Sequence, residues 1–170
     1  LSDVSYNTPK GKPQAPFTEK PSLFSREPID FKRPRGLLGH YCAKACAIPQ
    51  GETFDEGALL WTSGLITWKK LAKRGYWVHG SSDSLGEDHP MGLDSLAPSL
   101  DWVKWSHDKA FPSKGKSLVA TYRLLNKEVA VNFAGGMEFF WSSGSQFLRA
   151  IELEPQLIDK KHFCGPGHTY

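Results

Sequence analysis

The stretch "ALLWTSGLITWKKLAKRGYWVHG", residues 58–80, decides how this chain folds. Its apolar start halts at three small residues, Thr62, Ser63 and Gly64, as a buried strand does when it runs into a loop. From Leu65 the period changes. Leu65, Trp68, Leu71 and Ala72 fall on one helical face, Lys and Arg fill the last turn, and Gly75 stands where a helix commonly ends. "YWVHG", 76–80, then predicts a second strand. Strand, helix, strand in so short a span predicts a parallel crossover.

Working outward, "LLGHYCAKACAIP", 37–49, predicts a buried strand entering a loop at Pro49, and "SLVATYRLLN", 117–126, predicts another strand. "VAVNFAG", 129–135, reads equally as a strand or a helix start. "MEFFW", 137–141, is a strand, "SQFLRAIEL", 145–153, a helix, and "KHFCG", 161–165, a last strand. Residues 81–116 are loop-rich, and "LDWVKWSHD", 100–108, has no decisive period. Residues 1–36, rich in Pro, Lys and Ser, read as an extended arm or linker. The expected class is therefore α/β with a mostly parallel sheet, in three segments: the arm 1–36, a first α/β lobe 37–116 and a second 117–170. In such sheets ligands bind at the carboxyl ends of strands. The polar residues after Trp61, Trp141 and Cys164 would all lie there.

Composition narrows the function classes. At 170 residues, with 39% hydrophobic and 23% charged residues, the chain can bury a sizeable core. No apolar run approaches the roughly 20 residues of a spanning helix. A net charge of +3 is too slight to argue for nucleic acid. Cys42, Cys46 and Cys164 show no zinc-finger spacing with the His residues and read as reduced thiols of a cytoplasmic protein. Neither G-x-G-x-x-G nor G-x-x-x-x-G-K-[ST] occurs, which weakens a nucleotide-binding reading. The chain starts at Leu1 without Met, as expected of a fragment or processed product.

Two segments echo one another, "HYCAKACA" to "WTSGLIT" and "FFWSSGSQF" to "FCGPGHT", each read as a strand, a small-residue loop, a helix and a second strand ending in a glycine turn. Four pieces, in order, resemble the uroporphyrinogen-III synthase family. "GLITWKKLAKRGYWVHGSSDSLGE" resembles its turn-helix-strand segment through Gly64, Thr67, Leu71, Ala72 and Gly75. "LVATYRL" resembles its Tyr-bearing strand, placing Tyr122. "FFWSSGSQFLRAI" resembles its Ser-Gly segment, placing Ser143 and Gly144, and "HFCGPGHTY" resembles its closing Gly-Pro turn. Two departures stand out: His168 occupies the usual Thr position, with Thr169 one place on, and the family's opening strand is not recognisable in 1–36.

That resemblance implies a two-lobed, flavodoxin-like pair of parallel sheets with flanking helices and a cleft between lobes. It implies a cytoplasmic lyase of porphyrin (heme) biosynthesis that closes hydroxymethylbilane, a linear tetrapyrrole, with inversion of the last pyrrole ring and loss of water. No metal or other cofactor, nucleic acid or membrane is implied, and the expected state is a monomer fused to or following another enzyme of the pathway. Tyr122 would be catalytic. Ser63, Gly64, Thr67, Ser142, Ser143, Gly144, Ser145, Gly165, His168 and Thr169 would grip substrate carboxylates through hydroxyls and helix-terminal N–H groups.

Each residue also has a plainer structural role. Thr67 suits a first helical turn, and Ser142, Ser143 and Ser145 suit a helix cap. Tyr122 suits half-buried packing on a strand, and His168 suits a surface imidazole. Lys69, Lys70, Lys73 and Arg74 suit a solvated face that complements the helix dipole, while Trp61, Trp68 and Trp77 suit the core. Arg123 and Arg149 are free to meet carboxylates. The competing functional class is a non-catalytic α/β binding module that keeps the tetrapyrrole cleft.

Overall fold

The computed structural model describes residues 23–83, 85, 92–111, 113, 115–128, 133, 135–141 and 143–164. They fall into two compact units, one built on residues 24–127 and the other on 128–164 together with Leu23.

The larger unit is a six-stranded sheet. In chain order its strands are β1 (Phe24–Pro28), β2 (Leu38–Cys42), β3 (Leu59–Thr62), β4 (Gly80–Ser81), β5 (Asp101–His107) and β6 (Lys116–Asn126). They lie side by side as β1-β6-β5-β2-β3-β4. All neighbours run parallel except β1, which pairs antiparallel with β6 in the register Phe24 to Asn126. The chain winds outward from β2 through β3 to β4, then returns to β2's other side for β5 and β6. The reversal falls between β2 and β5, where the carboxyl ends of an open sheet leave a crevice.

Helices cover both faces. Helix α1 (Leu65–Ala72) crosses from β3 to β4 and buries Leu71 against Cys42, Leu60, Val78, Val103 and Trp105. A 3₁₀ turn, Ala45–Ala47, completes that layer. On the opposite face the single turn α2 (Leu93–Leu96) packs Leu93 against Tyr41 and Trp102. Two tryptophans lie flat over glycines of the adjoining strand. A Cβ on Gly39 would stand 2.3 Å from the Trp102 ring, and one on Gly80 only 2.1 Å from the Trp61 ring. In each pair the strands are in direct register, Gly39 with Trp102 and Trp61 with Gly80, so no other residue fits beneath the ring.

Among the described residues the connection from β5 to β6 has no helix. The ammonium of Lys104, 2% exposed, ties it to β5 by donating to the Phe111 carbonyl (2.9 Å) and the Ser113 hydroxyl (3.2 Å). The segment 100–108 is thus a central strand. Its period was obscured because Lys104 and Ser106 are buried among Trp102, Val103 and Trp105, which makes the strand inward on both faces.

Four further expectations need correction. Residues 76–80 contribute only Gly80 to a strand, because the His79 ring takes the ladder position: its Nδ1 accepts from the Leu60 N–H at 3.0 Å. Trp77 beside it is 80% exposed rather than core. Within 1–36, residues 24–28 form the edge strand β1, where Pro28 is tolerated at the strand's end. The sheet also continues past the boundary expected after residue 116, since β6 pairs with both β5 and β1.

The smaller unit pairs β7 (Glu138–Trp141) in parallel with β8 (Lys161–Cys164) through helix α3 (Gly144–Leu153) and a 3₁₀ turn, Pro155–Asp159. Phe139, Trp141, Ala150 and Leu157 are buried in it. Leu23 belongs here too: it is fully buried, and its N–H donates to Oε1 of Gln146 at 3.2 Å. Of "VAVNFAG", residues 129–132 and 134 lie outside the described residues.

Candidate functional site

At the carboxyl edge of the larger sheet, β3 ends in Thr62 and Ser63 before α1 begins. Both hydroxyls serve the fold. Thr62 Oγ1 donates toward the Gly80 carbonyl (3.3 Å), and Ser63 Oγ donates to the Ala43 carbonyl (2.7 Å), tying the ends of β2 and β3 together. The cap position of α1 is Gly64, extended at φ −174° and ψ 169°, and it has no side chain to offer the helix. The first-turn N–H groups of Leu65, Ile66 and Thr67 therefore lack an intrahelical or side-chain cap acceptor and face the sheet edge with the positive end of the helix dipole. Thr67 itself is buried within the first turn and is not the cap.

The smaller unit repeats this arrangement. Ser143 is the cap residue of α3, extended at φ −161° and ψ 130°, yet its hydroxyl makes no cap bond. It bonds instead with the Ser145 hydroxyl at 2.7 Å, both half-buried, while Gly144 opens the helix. The capping role open to Ser143 and Ser145 is thus not taken. Ser142, Gly165, His168 and Thr169 lie outside the described residues. The two turns share a sequence signature that the echo above aligned differently: Trp61-Thr62-Ser63-Gly64 and Trp141-Ser142-Ser143-Gly144. In both, the indole N–H reaches a residue of the next parallel strand region, Ser82 Oγ (3.3 Å) for Trp61 and His162 Nδ1 (2.9 Å) for Trp141.

Tyr122 stands on β6, level with His107 of β5 and opposite Pro28 of β1. It is 4% exposed. The Arg26 guanidinium carbon lies 6.0 Å from its ring centroid, and burial pushes its ionisation well above the usual phenol range. It stays a neutral hydrogen-bond donor and acceptor across physiological pH. Cys46 is exposed on the 3₁₀ turn, whereas Cys42 is buried and its thiol is pushed far up by that burial. The turn is clamped from beneath by Arg74, whose guanidinium donates to the carbonyls of Ala45 (2.8 Å), Ile48 (2.8 Å) and Pro49 (2.7 Å). Arg74 is therefore a structural staple rather than part of a solvated face. Strands β5 and β2 separate Tyr122 from the Ser63–Thr67 turn in the same sheet.

Arg26, Cys46 and Arg74 escaped the sequence reading because they meet Tyr122 or the turn only through strand pairing and loop closure. Arg123 and Arg149 do meet carboxylates, but those of Asp108 (3.2 Å) and Glu152 (2.9 Å) in their own units. A surface pocket of about 430 Å³ is lined by Lys32, Arg33, Pro34 and Arg35, with Arg33 paired to Glu52 at 2.8 Å. Among the described residues no cluster of three His, Cys, Asp or Glu side chains is placed to hold a metal, and no helix is long and apolar enough to cross a membrane. The chain matches no protein-family model, and no curated protein matches it significantly.

Proposed function

We propose that this protein is a uroporphyrinogen-III synthase, a cytoplasmic lyase of heme biosynthesis that cyclises hydroxymethylbilane with inversion of the last pyrrole ring. The observation that carries this reading is the paired device: in each of two α/β units a strand ends in Trp-[Thr/Ser]-Ser-Gly and opens a helix whose first turn has no side-chain cap. Uncapped helix N-termini suit a substrate bearing carboxylates on every ring.

The chemistry asks little of the protein's acids. The pyrrole nitrogen lone pair expels the hydroxyl, which takes a proton from solvent and leaves as water, giving a cationic azafulvene; the pyrrole carbon that closes the ring on it then loses one proton to solvent. The protein holds a flexible chain in one folded shape, which is proximity catalysis. It also hydrogen-bonds the departing hydroxyl, the role proposed for Tyr122. Ser63, Gly64 and Thr67 in one turn, with Ser143, Gly144 and Ser145 in the other, would position the carboxylates. No metal or redox cofactor enters this scheme.

The test is to incubate the protein with freshly generated hydroxymethylbilane and resolve the oxidised products by isomer. Type III is the expected product, with Tyr122→Phe slowing its formation by about tenfold to a hundredfold, at or below the low end of general-acid effects. Type I alone, the uncatalysed product, rejects the assignment. The burial of Tyr122 favours one alternative, a binding module that keeps the ligand surface without the reaction. Tight binding of uroporphyrinogen without isomer control would mark that case.

A further inference from the structure

Helix α1 has a second face, turned away from the sheet. At the α-helical pitch Leu65, Lys69, Lys73, Ile66 and Lys70 fall within one arc of about 140°. All of them are exposed, Leu65 at 52% and Ile66 at 74%. The opposite side is occupied: Thr67 and Leu71 are buried, and Arg74 is turned onto the carbonyls of Ala45, Ile48 and Pro49. Past the helix, Gly75 turns the chain at φ +88°, and the Tyr76 hydroxyl donates to the Glu52 carbonyl at 2.8 Å. Trp77 follows at once and is 80% exposed.

The charge on this face is unanswered. No Asp or Glu lies between Glu56 and Asp83. The ion pairs among the described residues are made by Arg33, Arg123, Arg149 and Lys161, so none uses a lysine of α1. A helix face built only for water gains from acids one turn away from its lysines. This one has none, and two aliphatic side chains stand among its ammonium groups.

That mixture separates the classes of partner. Lysine is depleted from protein–protein interfaces, where arginine is preferred. Nucleic acid is gripped by guanidinium forks as well as by stacking, and the one arginine of this segment points inward. A layer of anionic lipid headgroups suits every component. The ammonium groups meet phosphates, the lysine stems lie alongside Leu65 and Ile66 at the acyl boundary, and an indole seats at headgroup level.

We propose that the outer face of α1, with Trp77 beyond its end, is a peripheral docking surface for a bilayer bearing anionic phospholipids. The inference lies within the larger unit and does not depend on the synthase reading.

Vesicle co-sedimentation of the intact chain tests it, with phosphatidylcholine vesicles set against vesicles that also carry phosphatidylserine. At low ionic strength, partitioning onto the anionic vesicles should be about a hundredfold stronger, the scale of three lysines near such a surface. The triple variant Lys69→Gln, Lys70→Gln, Lys73→Gln should lose that preference, and Ile66→Ser should weaken binding by about tenfold. A control triple of equal charge change uses exposed lysines elsewhere in the unit: Lys32→Gln, Lys109→Gln, Lys127→Gln. It should keep the preference to within about threefold, since screening mutes distant charges. On vesicles with brominated acyl chains, tryptophan fluorescence of the unaltered chain should be quenched. Trp77→Phe should remove most of that quenching, because the other indoles are buried or half-buried. No preference for anionic vesicles, equal losses in the two triples, or quenching that persists in Trp77→Phe overturns the surface. A duplex oligonucleotide that outcompetes the vesicles at the same salt, and releases the α1 triple, overturns it in favour of nucleic acid.

Discussion

Each unit contains a tryptophan whose indole N–H donates to Nδ1 of a histidine: Trp105 to His40 at 3.0 Å in the larger, Trp141 to His162 at 2.9 Å in the smaller. The geometry is nearly the same and the surroundings are not. His40 is 3% exposed in the centre of the sheet, with the Phe54 ring 4.4 Å away between centroids. His162 is half-buried and uses its second nitrogen on the Leu157 carbonyl at 2.8 Å. Burial lowers the ionisation of His40 to about 4, against the partial counter-pull of Asp55. One contact type is thus a core element that must remain uncharged in one unit, and a peripheral brace in the other.

The largest effect should come from acid acting on the larger unit. A histidine held neutral contributes stability that is complete above its unfolded value near 6.5 and is lost as pH falls toward about 4. The full loss is of the order of 3 kcal/mol at 1.36 kcal/mol per pH unit of difference. Urea unfolding followed from pH 7 to pH 4 should lose stability on that scale, and His40→Asn should flatten this limb. An unchanged acid limb in His40→Asn would erase the contrast between the two pairs. Next in size, Gly80→Ala places a methyl inside the Trp61 ring and should cost about 1–3 kcal/mol in urea midpoint, as overpacking does. Among the described residues of the smaller unit no tryptophan is seated on a glycine of its paired strand: Trp141 faces Cys164, and its ring packs on Phe147 and His162. The smallest effect concerns the solvent side of that unit. Removing the Lys161–Glu138 pair (3.0 Å) by Lys161→Ala should shift stability by less than about 1 kcal/mol, and added salt should shrink the difference further.

The sequence displayed those elements whose residues report their own surroundings. Strands β2, β3, β6, β7 and β8 carry their burial in their period, and helix α1 does so in part: Leu71 is inward and Lys69 and Lys70 outward, but Leu65 and Ala72 of the expected apolar face are exposed. β5 was hidden because a buried ammonium and a buried hydroxyl break the apolar run, and the ammonium is satisfied by partners met only after folding. β1 was hidden because an exposed edge strand of Arg, Glu and Pro has almost no apolar face to display. The site follows the same division. The Ser63-Gly64 and Ser143-Gly144 turns are visible as small residues ending apolar runs, whereas Arg26 reaches Tyr122 from far along the chain through an antiparallel pairing that no local pattern signals.

The way the polypeptide leaves one unit at Leu23 and re-enters it at Glu128 bears on how a ribosome delivers it. Every strand of the six-stranded sheet has been synthesised once Asn126 has emerged, so that body can close while the rest is still being made. Leu23, among the first described residues to appear, must wait for Gln146 before its amide finds an acceptor. Birth order and completion order are therefore reversed: the half that starts first finishes last.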